Sequence, residues 1–313
     1  MRDTFIQALE ALAVRDSRVF LVTGDLGFGV LTDFAGRHPR QFLNAGVAEQ
    51  NMTGVATGLA LEGRIVFTYS IANFPILRPL EFIRNDAAYH DANVNVVAIG
   101  GGFSYGPLGI SHHATEDLAI LRSLPGLTVV SPCDDWEVAE AVPALAATPG
   151  TSYLRLDKSS AGNTRRPGES FVLGKARQLR DGHDVTVAVT GGILKVVLEA
   201  VQELSTLGIS CRVLSVHSIK PLDVEALAAA ARETGGIITV EEHTVEGGLG
   251  GAVAENLLEA GAVPRVFHRI GLRAGFSAVV GSQSYLRTVY GMDAAAIVDQ
   301  VRRLVGDGRV VGA

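Results

Sequence analysis

The chain alternates short apolar runs with stretches of helical spacing, and this alternation decides what it can fold into. Residues 19–23, 64–69, 94–99, 128–131 and 152–156 read as strands, with helices expected at 48–61, at 79–89 and from Asp134 onward. The pattern then restarts, with strands at 185–190, 211–215 and 236–241 and helices at 194–207, 223–231 and 250–260. Runs that are apolar on both faces belong inside a sheet covered by helices on either side. The expected class is α/β, two consecutive α/β domains with mainly parallel sheets. Residues 161–184 are rich in Arg, Gly, Ser and Pro and weakly periodic. They read as a linker between domains at 1–160 and 185–313.

With 313 residues, 47% hydrophobic and 19% charged, the chain can fill two cores and lacks the composition of a disordered one. A formal net charge of -6 argues against a nucleic-acid-binding surface. Cys133 and Cys211 give neither a disulfide framework nor a metal-ligand pattern. No continuous apolar run approaches the roughly 20 residues of a membrane helix, and the N-terminus does not read as a signal peptide. A cytoplasmic protein is expected. Glycine clusters at 100–102, 191–192 and 247–251 match neither a dinucleotide fingerprint nor a P-loop and read as tight turns.

One acid is out of place. Gly46-Val47-Ala48-Glu49-Gln50-Asn51-Met52 sets a carboxylate at the start of an apolar helix, where it is costly unless a polar group meets it. A helix cap or a surface salt bridge is the plain alternative. The segment resembles the motif of thiamine-diphosphate enzymes of the transketolase family, and the resemblance spans most of the chain. It implies a pyrimidine-binding domain at 1–160 and a transketolase C-terminal domain at 185–313. It implies thiamine diphosphate as cofactor, with Glu49 hydrogen-bonded to N1′ of the aminopyrimidine ring. That bond favours the imino tautomer, which removes the C2 proton of the thiazolium.

The same resemblance assigns further residues. Phe74, in Tyr69-Ser70-Ile71-Ala72-Asn73-Phe74, falls on the phenylalanine that stacks on the pyrimidine. Two flanking aromatics of the pattern fall on Ile71 and Leu77, so the cofactor pocket stays apolar but is less aromatic. Arg78, Glu81 and Arg84 read as a polar helix face or as subunit contacts. Ser111-His112-His113-Ala114-Thr115-Glu116-Asp117 resembles the loop whose histidine reaches the substrate oxygens. Aligned through Glu116-Asp117, that histidine is His112, able to donate a hydrogen bond or shuttle a proton. His113 stands where glutamine is usual and is a further candidate substrate contact. No third ligand at suitable spacing accompanies the two histidines, which argues against a metal site there.

Several family contacts are changed. The aspartate that holds a ketose hydroxyl falls on Leu108, a substrate-contacting histidine on Gly100, and a phosphate-binding serine near Gly29. The phosphate-binding arginine aligns with Lys158. A buried Leu108 cannot satisfy a sugar hydroxyl, at a cost of roughly 1–3 kcal/mol. A donor other than the ordinary pentose phosphates is expected, less hydroxylated or not phosphorylated.

The resemblance also shows what is missing. In this family a separate domain grips the diphosphate, using Gly-Asp-Gly and a downstream Asn to hold Mg²⁺. Here Gly306-Asp307-Gly308 is followed by only five residues and does not fit that role. A separate N-terminal subunit carrying the diphosphate-binding domain is therefore implied, in an α2β2 assembly with Mg²⁺ bound mainly by that subunit. Asp25 is a candidate contact to it. Glu242 and His243, in the C-terminal domain, are expected to be structural or interfacial. The expected function is the C-terminal subunit of a two-component transketolase that moves a two-carbon ketol unit from a ketose to an aldehyde. A 2-oxoacid dehydrogenase β subunit and a non-catalytic assembly subunit are the alternatives.

Overall fold

A computed structural model describes residues 1–273 and 275–306; Asp307 and Gly308 of the C-terminal Gly-Asp-Gly lie outside the described residues. Twelve strands are described: β1 (Val19–Thr23), β2 (Phe42–Asn44), β3 (Ile65–Ile71), β4 (Val94–Ile99), β5 (Thr128–Val130), β6 (Ser152–Leu156), β7 (Arg177–Arg180), β8 (Val185–Val189), β9 (Cys211–Ser215), β10 (Ser218–Lys220), β11 (Ile237–Thr244) and β12 (Phe267–Leu272). They form a seven-stranded sheet in the order β10-β5-β6-β4-β3-β1-β2 and a five-stranded sheet in the order β12-β11-β8-β9-β7. All pairings are parallel except β10 with β5 and β7 with β9. The α/β class with two mainly parallel sheets is what the apolar runs dictate. β4, β6 and β8 are buried along their whole length, as central strands covered on both faces must be.

Helix ends follow local chemistry. Asp134 caps Asp135–Ala147 by accepting from Glu137 N, and Asp223 caps Val224–Glu233 by accepting from Ala226 N. The helix expected over 79–89 is a short α-turn, Leu80–Phe82, running into a π-helix, Ile83–Ala88. π-helical turns occur mostly as short insertions and are frequent at functional sites.

The halves interlock. β10 follows β9 in the chain but joins the first sheet, against β5. One hydrophobic cluster accordingly mixes Val94, Leu118 and Tyr153 with Leu214, Ile219, Leu227 and Val253. Residues 177–180, inside the segment read as a linker, form β7 and close the edge of the second sheet. Arg177 of that strand is buried and paired with Asp134, Glu137 and Glu169.

Candidate active site

β4, β3, β1 and β2 lie side by side and run in one direction, so the loops that follow them emerge at one edge. Ligands of open parallel sheets bind outside such carboxyl ends. Glu49 begins the helix Glu49–Leu61 just beyond β2, Phe74 begins the turn Phe74–Leu77 just beyond β3, and His112 sits in the loop beyond β4.

Glu49 is 4% exposed. The first turn of a helix favours its carboxylate, and Arg78 Nη1 donates to Oε1 at 2.7 Å. The buried acid has thus found its polar partner. The salt-bridge reading of Glu49 is realised too, though with the acid buried and only the arginine half-exposed. The Arg78 guanidinium also lies over the Phe74 ring, 4.3 Å from its centroid. His112 meets the same ring edge-on at 5.1 Å. Glu49, Arg78, Phe74 and His112 are therefore contiguous. Burial, then His113 and Arg78, hold the His112 imidazole below its ordinary value, so it is neutral near pH 7.

The other expected site residues differ in placement. His113 is turned inward: it is buried, packs edge-on against Phe103 at 5.1 Å, and its Nε2 lies 3.2 Å from Gly106 O. Its side chain is thus packed in the core rather than presented to solvent. Leu108, expected to be buried, is 55% exposed on a 3-10 turn, Gly106–Leu108. Ile71 is half-buried at the end of β3, and Leu77 is exposed. Lys158 is not beside Glu49. Its Nζ lies over the Tyr105 ring at 3.6 Å, in a cavity of about 340 Å³ shared with Arg2, Ile99 and Asp157. Tyr105 in turn lies 6.2 Å from the His112 ring, which makes it the link between the two places.

Sequence reasoning missed Asn44. Its Nδ2 donates to Asp25 Oδ1 at 2.9 Å, and its Oδ1 accepts from Asp25 N and Gly46 N. This clasp fixes the chain just before Glu49. Arg78 was noticed without a site role, because its pairing with an acid 29 residues away has no signature in spacing.

The chain matches the family models for the transketolase pyrimidine-binding domain over residues 1–163 and the transketolase C-terminal domain over residues 174–297. It belongs to the transketolase family. It is 39% identical over 298 residues to an apulose-4-phosphate transketolase subunit of Phocaeicola vulgatus, covering 95% of this chain and 94% of that protein. It is 38% identical to the 6-deoxy-6-sulfo-D-fructose transketolase subunit SqwH of a Clostridium species, covering 95% and 92%. A solved split-gene transketolase, an inactive β4 tetramer, superposes with a TM-score of 0.86 at 36% identity over 97% of each chain. This is a transketolase-type β subunit, and the family uses thiamine diphosphate.

The donor set suits the aminopyrimidine half of that cofactor: a buried carboxylate at a helix start beside a half-buried aromatic ring. Among the described residues no group of three or more His, Cys, Asp or Glu is placed to hold a metal ion. Among them, too, no helix is long and apolar enough to cross a membrane. Cys133 and Cys211 are buried and free.

Proposed function

We propose that this chain is the C-terminal subunit of a two-component transketolase, active only with a separate N-terminal subunit that binds the diphosphate and its Mg²⁺. The observation that carries this reading is the uncovered rim around Glu49. Phe28 is 81% exposed and Val47 72%, and Leu77, Leu108 and Ile110 are exposed as well. All five follow the carboxyl ends of the four neighbouring parallel strands. Large apolar side chains grouped in this way mark a surface that another chain covers. Split relatives of nearly equal length support the same division, and an α2β2 assembly is the arrangement proposed.

When bound, thiamine diphosphate supplies the nucleophilic carbon and the electron sink for ketol transfer. The chain's residues do the rest. Glu49 holds a proton against the pyrimidine nitrogen in a site that the partner subunit closes from water, where a charge-assisted bond is strongest. Phe74 offers the ring face that orients the pyrimidine, with Ile71 and Leu77 as its apolar flanks. Neutral His112 donates to the donor oxygen and takes or returns its proton. Lys158, beyond Tyr105, is the proposed anchor for an anionic end of the substrate. Leu108 leaves one donor position without a hydrogen-bond partner, which favours a modified ketose over ordinary pentose phosphates.

The test is affinity purification of the tagged chain from its host, with co-purifying chains identified by mass. The complex is then assayed with apulose 4-phosphate, 6-deoxy-6-sulfo-D-fructose and D-xylulose 5-phosphate as probes. A stoichiometric chain carrying Gly-Asp-Gly and a downstream Asn, together with transfer from one of the modified ketoses, is the expected result. A chain that purifies alone and binds thiamine diphosphate with Mg²⁺ unaided contradicts the reading.

A further inference from the structure

His112 rides on a loop whose base is closed by the pair Gly102–Ala114, through Gly102 N to Ala114 O at 2.8 Å and Ala114 N to Gly102 O at 3.0 Å. The groups that hold this base come from the far end of the chain. Glu242, on β11, is 1% exposed, and its Oε1 accepts from Phe103 N at 2.5 Å. The same oxygen accepts from Gln283 Nε2 at 2.9 Å, and Oε2 accepts from Arg287 Nε. The other end of the loop is held as well. Thr244 N donates to Thr115 O at 2.7 Å. Arg155 Nη2 donates to both Ala114 O and Glu242 O.

The close approach is built in. Gly102 has φ +59°, and a Cβ there would lie 2.5 Å from Glu242 Oε1. Only glycine brings the loop backbone onto this carboxylate. Phe103, fixed by its N–H, stacks on Tyr290 at 5.4 Å and presents its ring to His113. His113 N and His112 N both donate to Gly109 O, which carries the constraint to His112.

We infer that Glu242 is a positioning residue for His112, through which the C-terminal domain sets the geometry of the substrate-side histidine. This rests on the proposed role of His112. A buried carboxylate suits the task because two oxygens gather three donors from two segments of the chain, and charge-assisted bonds are the strong ones. Aspartate is shorter by one methylene and cannot reach Phe103 N while keeping Arg287. Glutamine keeps the acceptor facing Phe103 but turns an N–H toward Arg287.

The test is a double-mutant cycle in the purified complex, with Glu242→Asp made alone and in the His112→Ala background. Turnover is read with the best of the three probe ketoses. The inference expects at least about a tenfold loss of kcat from Glu242→Asp, and no further loss once His112 is gone. Cofactor affinity changes less than kcat, because the Glu49–Arg78–Phe74 arm meets Glu242 only through the His112 loop. Amide hydrogen exchange quickens at residues 103–114 and not in the helix Glu49–Leu61. Where Glu242→Asp does not fold, Glu242→Gln in the same two backgrounds reads the same cycle. Equal losses in both backgrounds overturn the inference, as does no loss beside an intact His112. Unchanged turnover in His112→Ala alone removes the proposed role of His112, and this inference with it.

Discussion

Glu49 and Arg78 are joined across 2.7 Å, and the same guanidinium covers the face of Phe74. The acid that would act on the cofactor and the ring that would stack on it share one cation. Glu49→Gln keeps the size of the side chain and removes its ability to exchange a proton. Turnover of the complex is expected to fall by about 100-fold or more. The melting temperature of the isolated chain should barely change, which thermal unfolding checks.

Arg78 also contributes to the pH dependence, after burial and His113. Burial, His113 and Arg78 hold His112 below its ordinary 6.5. Between the lowered folded value and the ordinary unfolded one, the unfolded chain binds more protons, so stability falls as pH drops through that window. If neutral His112 acts on the donor as proposed, the acid limb of turnover lies below pH 6.5. Arg78→Ala removes one of the cations and moves that limb to higher pH. A pH–rate profile of wild type and variant reads this shift. The cost in stability is expected to exceed about 1 kcal/mol, because the variant leaves Glu49 buried without its cation.

Donor choice is expected to turn on Leu108. Leu108→Asp restores a hydrogen-bonding side chain at an exposed place on the loop. Activity toward D-xylulose 5-phosphate should rise by about 2- to 12-fold in kcat/KM, the equivalent of roughly 0.5–1.5 kcal/mol, the net worth of one hydrogen bond. Steady-state kinetics with this ketose and the modified ketoses decides it.

Arg155, on β6, is buried, and its guanidinium reaches the carbonyl of Glu242 on β11. Its Nε lies 2.9 Å from Asp117 Oδ2, which also accepts from Tyr153 Oη at 2.6 Å. Arg155→Met leaves Asp117 buried without its cation and frees the carbonyls of Ala114 and Glu242. A loss of about 3–5 kcal/mol is expected in denaturant unfolding. Tyr153→Phe removes one hydrogen bond to the same acid and should cost about 1 kcal/mol.

What the sequence made legible is local. The apolar runs at 94–99, 152–156 and 211–215 are strands with those bounds, because a buried central strand has no other composition. Glu49, Phe74 and His112, singled out from short motifs far apart in the chain, lie contiguous through Arg78. β2, β7 and β12 were not legible, since they lie at sheet edges and carry polar residues such as Asn44, Gln178 and His268. β10 was hidden because it crosses from the second half of the chain into the first sheet. The inward turn of His113, the Arg78 pairing and the hold of Glu242 on a loop 139 residues away are tertiary facts with no periodic trace.

The most direct measurement is the rate at which the C2 proton of thiamine diphosphate exchanges with deuterium in the purified complex, for wild type and for Glu49→Gln. Exchange much faster than in free solution with wild type, falling to the solution rate with Glu49→Gln, is the expected result. Equally fast exchange in both contradicts a site activated by Glu49 of this chain.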